Sequence, residues 1–203
     1  MPISAETIRA NYERVQREVG EGVTVVVATK YVSPEEMELL AEAGVAVVGE
    51  NRLQDLEAKH EQFGDRFRWH FIGHLQSRKA HAVSSLCELV HSLDSLSAAK
   101  RLTAPALVEV NLSGEETKSG VPREQLAAFL REARELGVDV RGLMTMPPLA
   151  NDPEASRPYF RALRELAGEH ELEELSMGTS QDYSVAAEEG ATLVRVGSVL
   201  FGR

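Results

Sequence analysis

The chain has 203 residues, 43% of them apolar and 27% charged, with a formal net charge of −10 and one cysteine, Cys87. That size and composition suit one well-buried domain over residues 1–203, and no stretch approaches the roughly 20 consecutive apolar residues that cross a bilayer, so no membrane role is expected. The negative charge opposes broad contact with nucleic-acid phosphates, and a lone cysteine excludes an internal disulfide and the common zinc spacings, which fits a reducing, cytoplasmic setting.

The opening segment "MPISAETIRANYERVQREVG" lacks the apolar core of a signal peptide and sets Ile8, Tyr12, Val15 and Val19 on one helical face. Eight short apolar, mostly β-branched runs follow, near 23–29, 45–49, 68–73, 88–93, 106–112, 140–146, 172–178 and 192–197. Amphipathic stretches separate them; in "REQLAAFLREARELG", Leu126, Phe129, Leu130 and Ala133 recur at helical spacing and Gly137 is a terminator. No Pro/Gly/Ser-rich linker breaks the series. This alternation predicts parallel strands with helical crossovers, an α/β fold in the form of a single (β/α)8 TIM-type barrel with an extra N-terminal helix. The chain is shorter than the roughly 250 residues typical of that fold. It stops straight after the eighth strand, so the usual last helix is expected to be missing and the N-terminal helix to cover that flank. The rival, an open doubly wound sheet, calls for a G-x-G-x-x-G turn that does not follow the first strand.

A barrel gathers its strand C-termini on the face where such folds place their sites. In "VVVATK" the alternation puts Val26, Ala28 and Lys30 on one side, which points Lys30 into the mouth. An amine flanked there by apolar atoms is expected to be desolvated, and is a candidate nucleophile for a Schiff base; the alternative is a snorkelling or ion-paired lysine. "GENRLQD" puts Glu50 and Asn51 at the second strand's end, where they reach the mouth or begin a helix. His70 and His74 of "WHFIGH" lie about 13 Å apart on extended chain, too far for one zinc. His91 and Asp94 read as isolated, and Cys87 as a small buried hydrophobe. After the seventh strand, Gly178, Thr179 and Ser180 either meet an anion or cap a helix with Asp182. Arg195, inside an apolar strand, needs a polar partner, either Glu109 or another strand carboxylate in a salt bridge, or a ligand. Gly197 and Ser198 follow the eighth strand, where such barrels often bind phosphate.

Taken together, "ATK", "GENRLQD", "WHFIGHLQSRK", "VNLSGEETKSG", "GLMTMPP", "LSMGTSQD" and "VRVGSVLFG", in this order and spacing, resemble the pyridoxal phosphate homeostasis proteins, relatives of the N-terminal barrel of bacterial alanine racemase. The resemblance implies pyridoxal 5'-phosphate as cofactor, held as a Schiff base on Lys30. It also implies that Ser180, Gly197 and Ser198 bind the phosphate, that Arg195 faces the pyridine nitrogen, and that Asn51 is a pocket contact. Thr179 stands where the family often has methionine, Asp55 where it often has glutamate, Arg78 where asparagine is frequent, and Ser198 where threonine is common. Only Ser198 touches the phosphate site, and serine keeps the hydroxyl. The implied role is non-catalytic vitamin B6 homeostasis, by a monomer or weak dimer that buffers the cofactor or delivers it to pyridoxal-dependent enzymes.

The chemistry agrees with that role. A cationic arginine beside the ring nitrogen disfavours its protonation and weakens the ring as an electron sink. In the resembling racemase a second base comes from a separate C-terminal domain of the partner subunit, and this chain ends at Arg203. The rivals are a pyridoxal-dependent racemase or lyase, and a cofactor-free class I aldolase in which Lys30 attacks a sugar-phosphate carbonyl.

Overall fold

The computed structural model of the protein describes residues 3–115 and 118–202. Its strands are β1 (Thr24–Ala28), β2 (Val47–Glu50), β3 (Arg68–Phe71), β4 (Leu89–Leu93), β5 (Ala106–Asn111), β6 (Val121–Pro122), β7 (Val140–Met144), β8 (Glu174–Thr179) and β9 (Leu193–Val196). Its α-helices are α1 (Ala5–Val19), α2 (Pro34–Glu42), α3 (Leu53–Phe63), α4 (Ala80–Ser84), α5 (Leu96–Ala99), α6 (Leu126–Glu135), α7 (Arg157–Glu169), α8 (Tyr183–Glu188) and α9 (Ser198–Phe201). Local chemistry sets several boundaries. Ser33 and Glu36 form a reciprocal capping box ahead of Pro34, which starts α2. Past α6, Gly137 adopts φ +86° and its N–H returns to the Arg134 carbonyl.

The strands pair in parallel in the order β4-β3-β2-β1-β9-β8-β7-β5, and β4 also pairs with β5, which closes the sheet into an eight-stranded barrel among the described residues. The expected barrel is therefore found, with strand ends displaced by a residue or two from the apolar runs. Two features were not foreseen. The two-residue β6 pairs with the end of β5 as a spur outside the ring. The last barrel strand leads into the one-turn α9 instead of running out bare. Helix α1 covers that flank as expected, packing on α9, α2 and α8, with Asn11 Nδ2 donating to the Leu200 carbonyl at 3.0 Å.

Two apolar layers hold the ring. Outside, Ile8, Leu40, Leu56, Leu130, Phe160 and their neighbours fill the space between strands and helices. Inside, Val26, Val47, Leu89, Leu107, Met144 and Leu193 pack the barrel. That plug packs the barrel interior around a few buried polar groups, His70, His91, Ser176 and Arg195 among them. Among the described residues no helix is long and apolar enough to cross a membrane.

The β7–β8 contact depends on one missing methyl group. A Cβ on Gly142 would lie 1.8 Å from the Glu174 carbonyl oxygen, a backbone atom that cannot rotate away. Gly142→Ala is therefore expected to lower the unfolding free energy by at least about 2 kcal/mol, read from the urea midpoint; an unchanged midpoint contradicts the close packing.

Candidate functional site

At the C-terminal end of the barrel a cavity of about 470 Å³ opens between the turns after β1, β2, β8 and β9. Lys30, Asn51, Ser180, Arg195, Gly197 and Ser198, all candidates from the sequence, line it together. The side-to-side alternation of β1 does what was expected of it: Val26 joins the inner plug, and Ala28 and Lys30 line the cavity above it.

The turn that carries Lys30 is clamped from behind. Glu50 faces the helical layer and is fully buried, so it neither reaches the mouth nor caps α3. Its Oε1 accepts from Thr29 Oγ1 at 2.7 Å and from Lys59 Nζ at 2.6 Å, and its Oε2 accepts from the Asn51 N–H at 3.2 Å. Lys59 Nζ also donates to the Thr29 carbonyl at 2.6 Å. The residue before Lys30 and the backbone of Asn51 are thus tied to one buried carboxylate. Lys30 itself is exposed, with Nζ 4.9 Å from the centre of the Tyr31 ring. This corrects the expected desolvated amine, because the side chain extends past the apolar wall of β1 into an open mouth.

Arg195 is buried on β9 and satisfied without a carboxylate partner among the described residues. Nη1 donates to the Ser176 carbonyl at 3.0 Å and to Ser176 Oγ; Nη2 donates to the Thr145 carbonyl at 3.1 Å and contacts Met146 Sδ at 2.9 Å. The salt bridge to Glu109 does not form. Glu109 instead accepts from Ser119 Oγ at 2.6 Å, and burial raises its carboxyl above the usual range. Burial pulls the Arg195 guanidinium down to about 10, against the opposing fields of Glu109 and Asp182. It remains charged at neutral pH.

Behind Ser176 lie groups that single-residue inspection missed. His91 Nδ1 is 2.7 Å from Ser176 Oγ, and His91 Nε2 is 2.9 Å from His70 Nδ1. His91 is therefore not isolated. Inward alternation of β3, β4 and β8 was the available signal, since it aims His70, His91 and Ser176 at one axis. Burial pushes His70 down to about 4 and His91 well below the ordinary imidazole value. His74 instead sits exposed, 3.7 Å from Asp94. Cys87 is buried, with its thiol pushed up to about 12.

The turns after β8 and β9 are joined by Ser180 Oγ, which accepts from the Gly197 N–H at 2.9 Å. The capping alternative for Thr179 and Ser180 does not occur: Asp182 Oδ1 accepts from the Thr179 N–H and hydroxyl at 2.7 and 3.0 Å, closing a tight turn ahead of α8. Ser198 is exposed at the rim. Asn51 Oδ1 is buried with no hydrogen-bond partner among the described residues. A buried acceptor left open in a cavity wall is a place for a ligand's donor.

The family model for the alanine racemase N-terminal domain matches residues 3–203. A pyridoxal phosphate homeostasis protein of Aquifex aeolicus is 43% identical, the match covering 97% of this chain and 93% of that one. Among solved structures, PipY of Synechococcus elongatus PCC7942 with pyridoxal phosphate bound superimposes with a TM-score of 0.88 at 30% identity, over 96% of this chain and 100% of that one. Lysine decarboxylase from Selenomonas ruminantium shares the fold alone, with a TM-score of 0.78 at 18% identity, 97% of this chain matching 62% of that one.

Two measurements test the site's construction. Lys59→Met leaves Glu50 buried without its cation and is expected to cost about 3 kcal/mol in urea unfolding; no loss would mean that the pair is idle. The second concerns acid. His70 binds its proton near pH 4 when folded and near 6.5 when unfolded, so the unfolded chain takes up more protons between those values. Stability is full above pH 6.5 and falls below it, by about 2 kcal/mol from His70 alone between pH 7 and pH 5. His70→Asn should lose about that much less over the same interval, and equal losses would contradict the shift.

Proposed function

Because this chain belongs to the pyridoxal phosphate homeostasis protein family, whose barrel is the alanine racemase N-terminal domain, we propose that it binds pyridoxal 5'-phosphate reversibly through Lys30 and serves in vitamin B6 homeostasis. The observation that carries this reading is the convergence of an amine, two hydroxyls and a buried guanidinium on one cavity of about 470 Å³, within the size range of small-ligand sites. When bound, the cofactor supplies an aldehyde that condenses with a primary amine, releasing water; water regenerates the aldehyde, and a second amine takes it over by exchange, freeing the first.

The residues present fit that group. Lys30 offers the amine from an exposed position at the mouth, where a second amine can also approach. Ser180, Gly197 and Ser198 provide the hydroxyls and the close backbone approach for the phosphate. Arg195 would face the pyridine nitrogen, and Asn51 Oδ1 would be an open acceptor for a ring substituent. A guanidinium has five donors and no acceptor, so the ring nitrogen it meets must accept and stays unprotonated. That weakens the electron sink on which amino-acid carbanion chemistry relies, and supports a non-catalytic carrier over a lyase.

On this reading residues 1–203 act as one domain, a cytoplasmic monomer or weak dimer that hands the cofactor to pyridoxal-dependent enzymes. The test is a spectrum. Added pyridoxal 5'-phosphate should give the visible band of a lysine-bound aldehyde. Borohydride should then fix a pyridoxyl mass on Lys30, and Lys30→Ala should abolish both. A sugar phosphate trapped on Lys30 would point to the aldolase, and wild-type protein left colourless and unmodified would refute the reading. Sustained Cα–H exchange of amino acids in deuterated water would show the carrier to be an enzyme.

A further inference from the structure

The polar column beneath the cavity has a direction that its end group imposes. Arg195 Nη1 can only donate, so Ser176 Oγ accepts from it. Ser176 is fully buried, and the one other contact of its hydroxyl among the described residues is His91 Nδ1 at 2.7 Å. Two arrangements remain. In one, the Ser176 hydroxyl donates to His91 Nδ1, His91 carries its proton on Nε2 and donates to His70 Nδ1, and His70 carries its own proton on Nε2. In the other, every link beyond Ser176 is reversed, and the serine proton is left buried with no acceptor, at a cost of about 1–3 kcal/mol. The first gives every group from Arg195 Nη1 to His70 Nδ1 its partner. The two rings, with centroids 5.0 Å apart and planes at 47°, meet through their nitrogens and do not stack.

We propose that His91 and His70 are positioning residues for Arg195. A one-way hydrogen-bond chain from Arg195 through Ser176 and His91 to His70 locks both imidazoles as neutral Nε2–H tautomers and fixes the guanidinium at the cavity floor. The role toward a bound ring rests on the reading that Arg195 meets the pyridine nitrogen, whereas the tautomers do not. A second proton on His91 would sit on Nδ1, where it displaces the serine proton and adds a cation beside Arg195. The charged and titratable groups around the column are Glu88 and Arg68 at His70, His70 and Arg195 at His91, and Glu109 and Asp182 at Arg195. His70 also borders a small cavity at the barrel's N-terminal end, so the column runs from that floor to the cofactor cavity.

The experiment is long-range proton–nitrogen correlation NMR on uniformly labelled full-length protein without ligand at pH 7, with both histidines assigned by single substitution. Both should show a protonated Nε2 and a bare Nδ1; a protonated Nδ1 on either overturns the chain. In parallel, His91→Phe, which keeps an apolar ring but no acceptor, and Ser176→Ala are loaded with pyridoxal 5'-phosphate. Borohydride should still mark Lys30 in both. Cofactor release to a scavenging amine should quicken about tenfold, the scale of losing an outer partner of a ligating side chain, and the visible band should shift. Unchanged release and an unchanged band in a folded variant overturn the positioning role. Wild-type protein that shows the stated tautomers but takes up no cofactor refutes the functional reading alone.

Discussion

A guanidinium sealed inside a barrel must find acceptors for its donors, and the upper interior of this one is arranged around that demand. Arg195 takes the carbonyls of Thr145 and Ser176 from the neighbouring β7 and β8 region, then the Ser176 hydroxyl, behind which His91 of β4 and His70 of β3 stand in line. Strands far apart in sequence are thus coupled through one cation. The arrangement does without a carboxylate partner, so the charge stays available to the cavity instead of being neutralised from behind. Around the column the apolar plug excludes water, and hydrogen bonds in that low-dielectric setting are worth more than at the surface.

The Lys30 end of the site follows a different logic. Lys30 stands in the open, where an amine can meet an aldehyde arriving from solution, and precision comes from the backbone under it. Thr29, Glu50 and Lys59 form a buried clamp that belongs to the outer layer, so the wall of the cavity is held from the side that faces away from it. Closure of the ring does the rest. Val26 of β1 is paired with Arg195 of β9, which brings the first strand's lysine beside the glycine turn of the last. A net charge of −10 coexists with this locally cationic pocket because the acidic residues lie largely on the helices and the outer surface.

The sequence by itself determined the alternation of strands and helices, and with it the barrel. Period-2 and period-3.6 patterns are local, and the buried faces of α1 and α6 are the ones their spacing indicates. It also determined that Lys30, Asn51, Ser180, Arg195, Gly197 and Ser198 share a face, because all lie at or beyond strand C-termini of a parallel barrel. Only the tertiary structure decided the partners. Arg195 chose carbonyls and a serine over Glu109, Glu50 turned outward to Lys59, and His91 met both His70 and Ser176. The choices of Arg195 and His91 depend on strand register and on which neighbour lies across the barrel axis. Contacts between residues some 20 to 85 positions apart leave no periodic trace in a single chain, so the column of polar groups became visible only once the ring had closed.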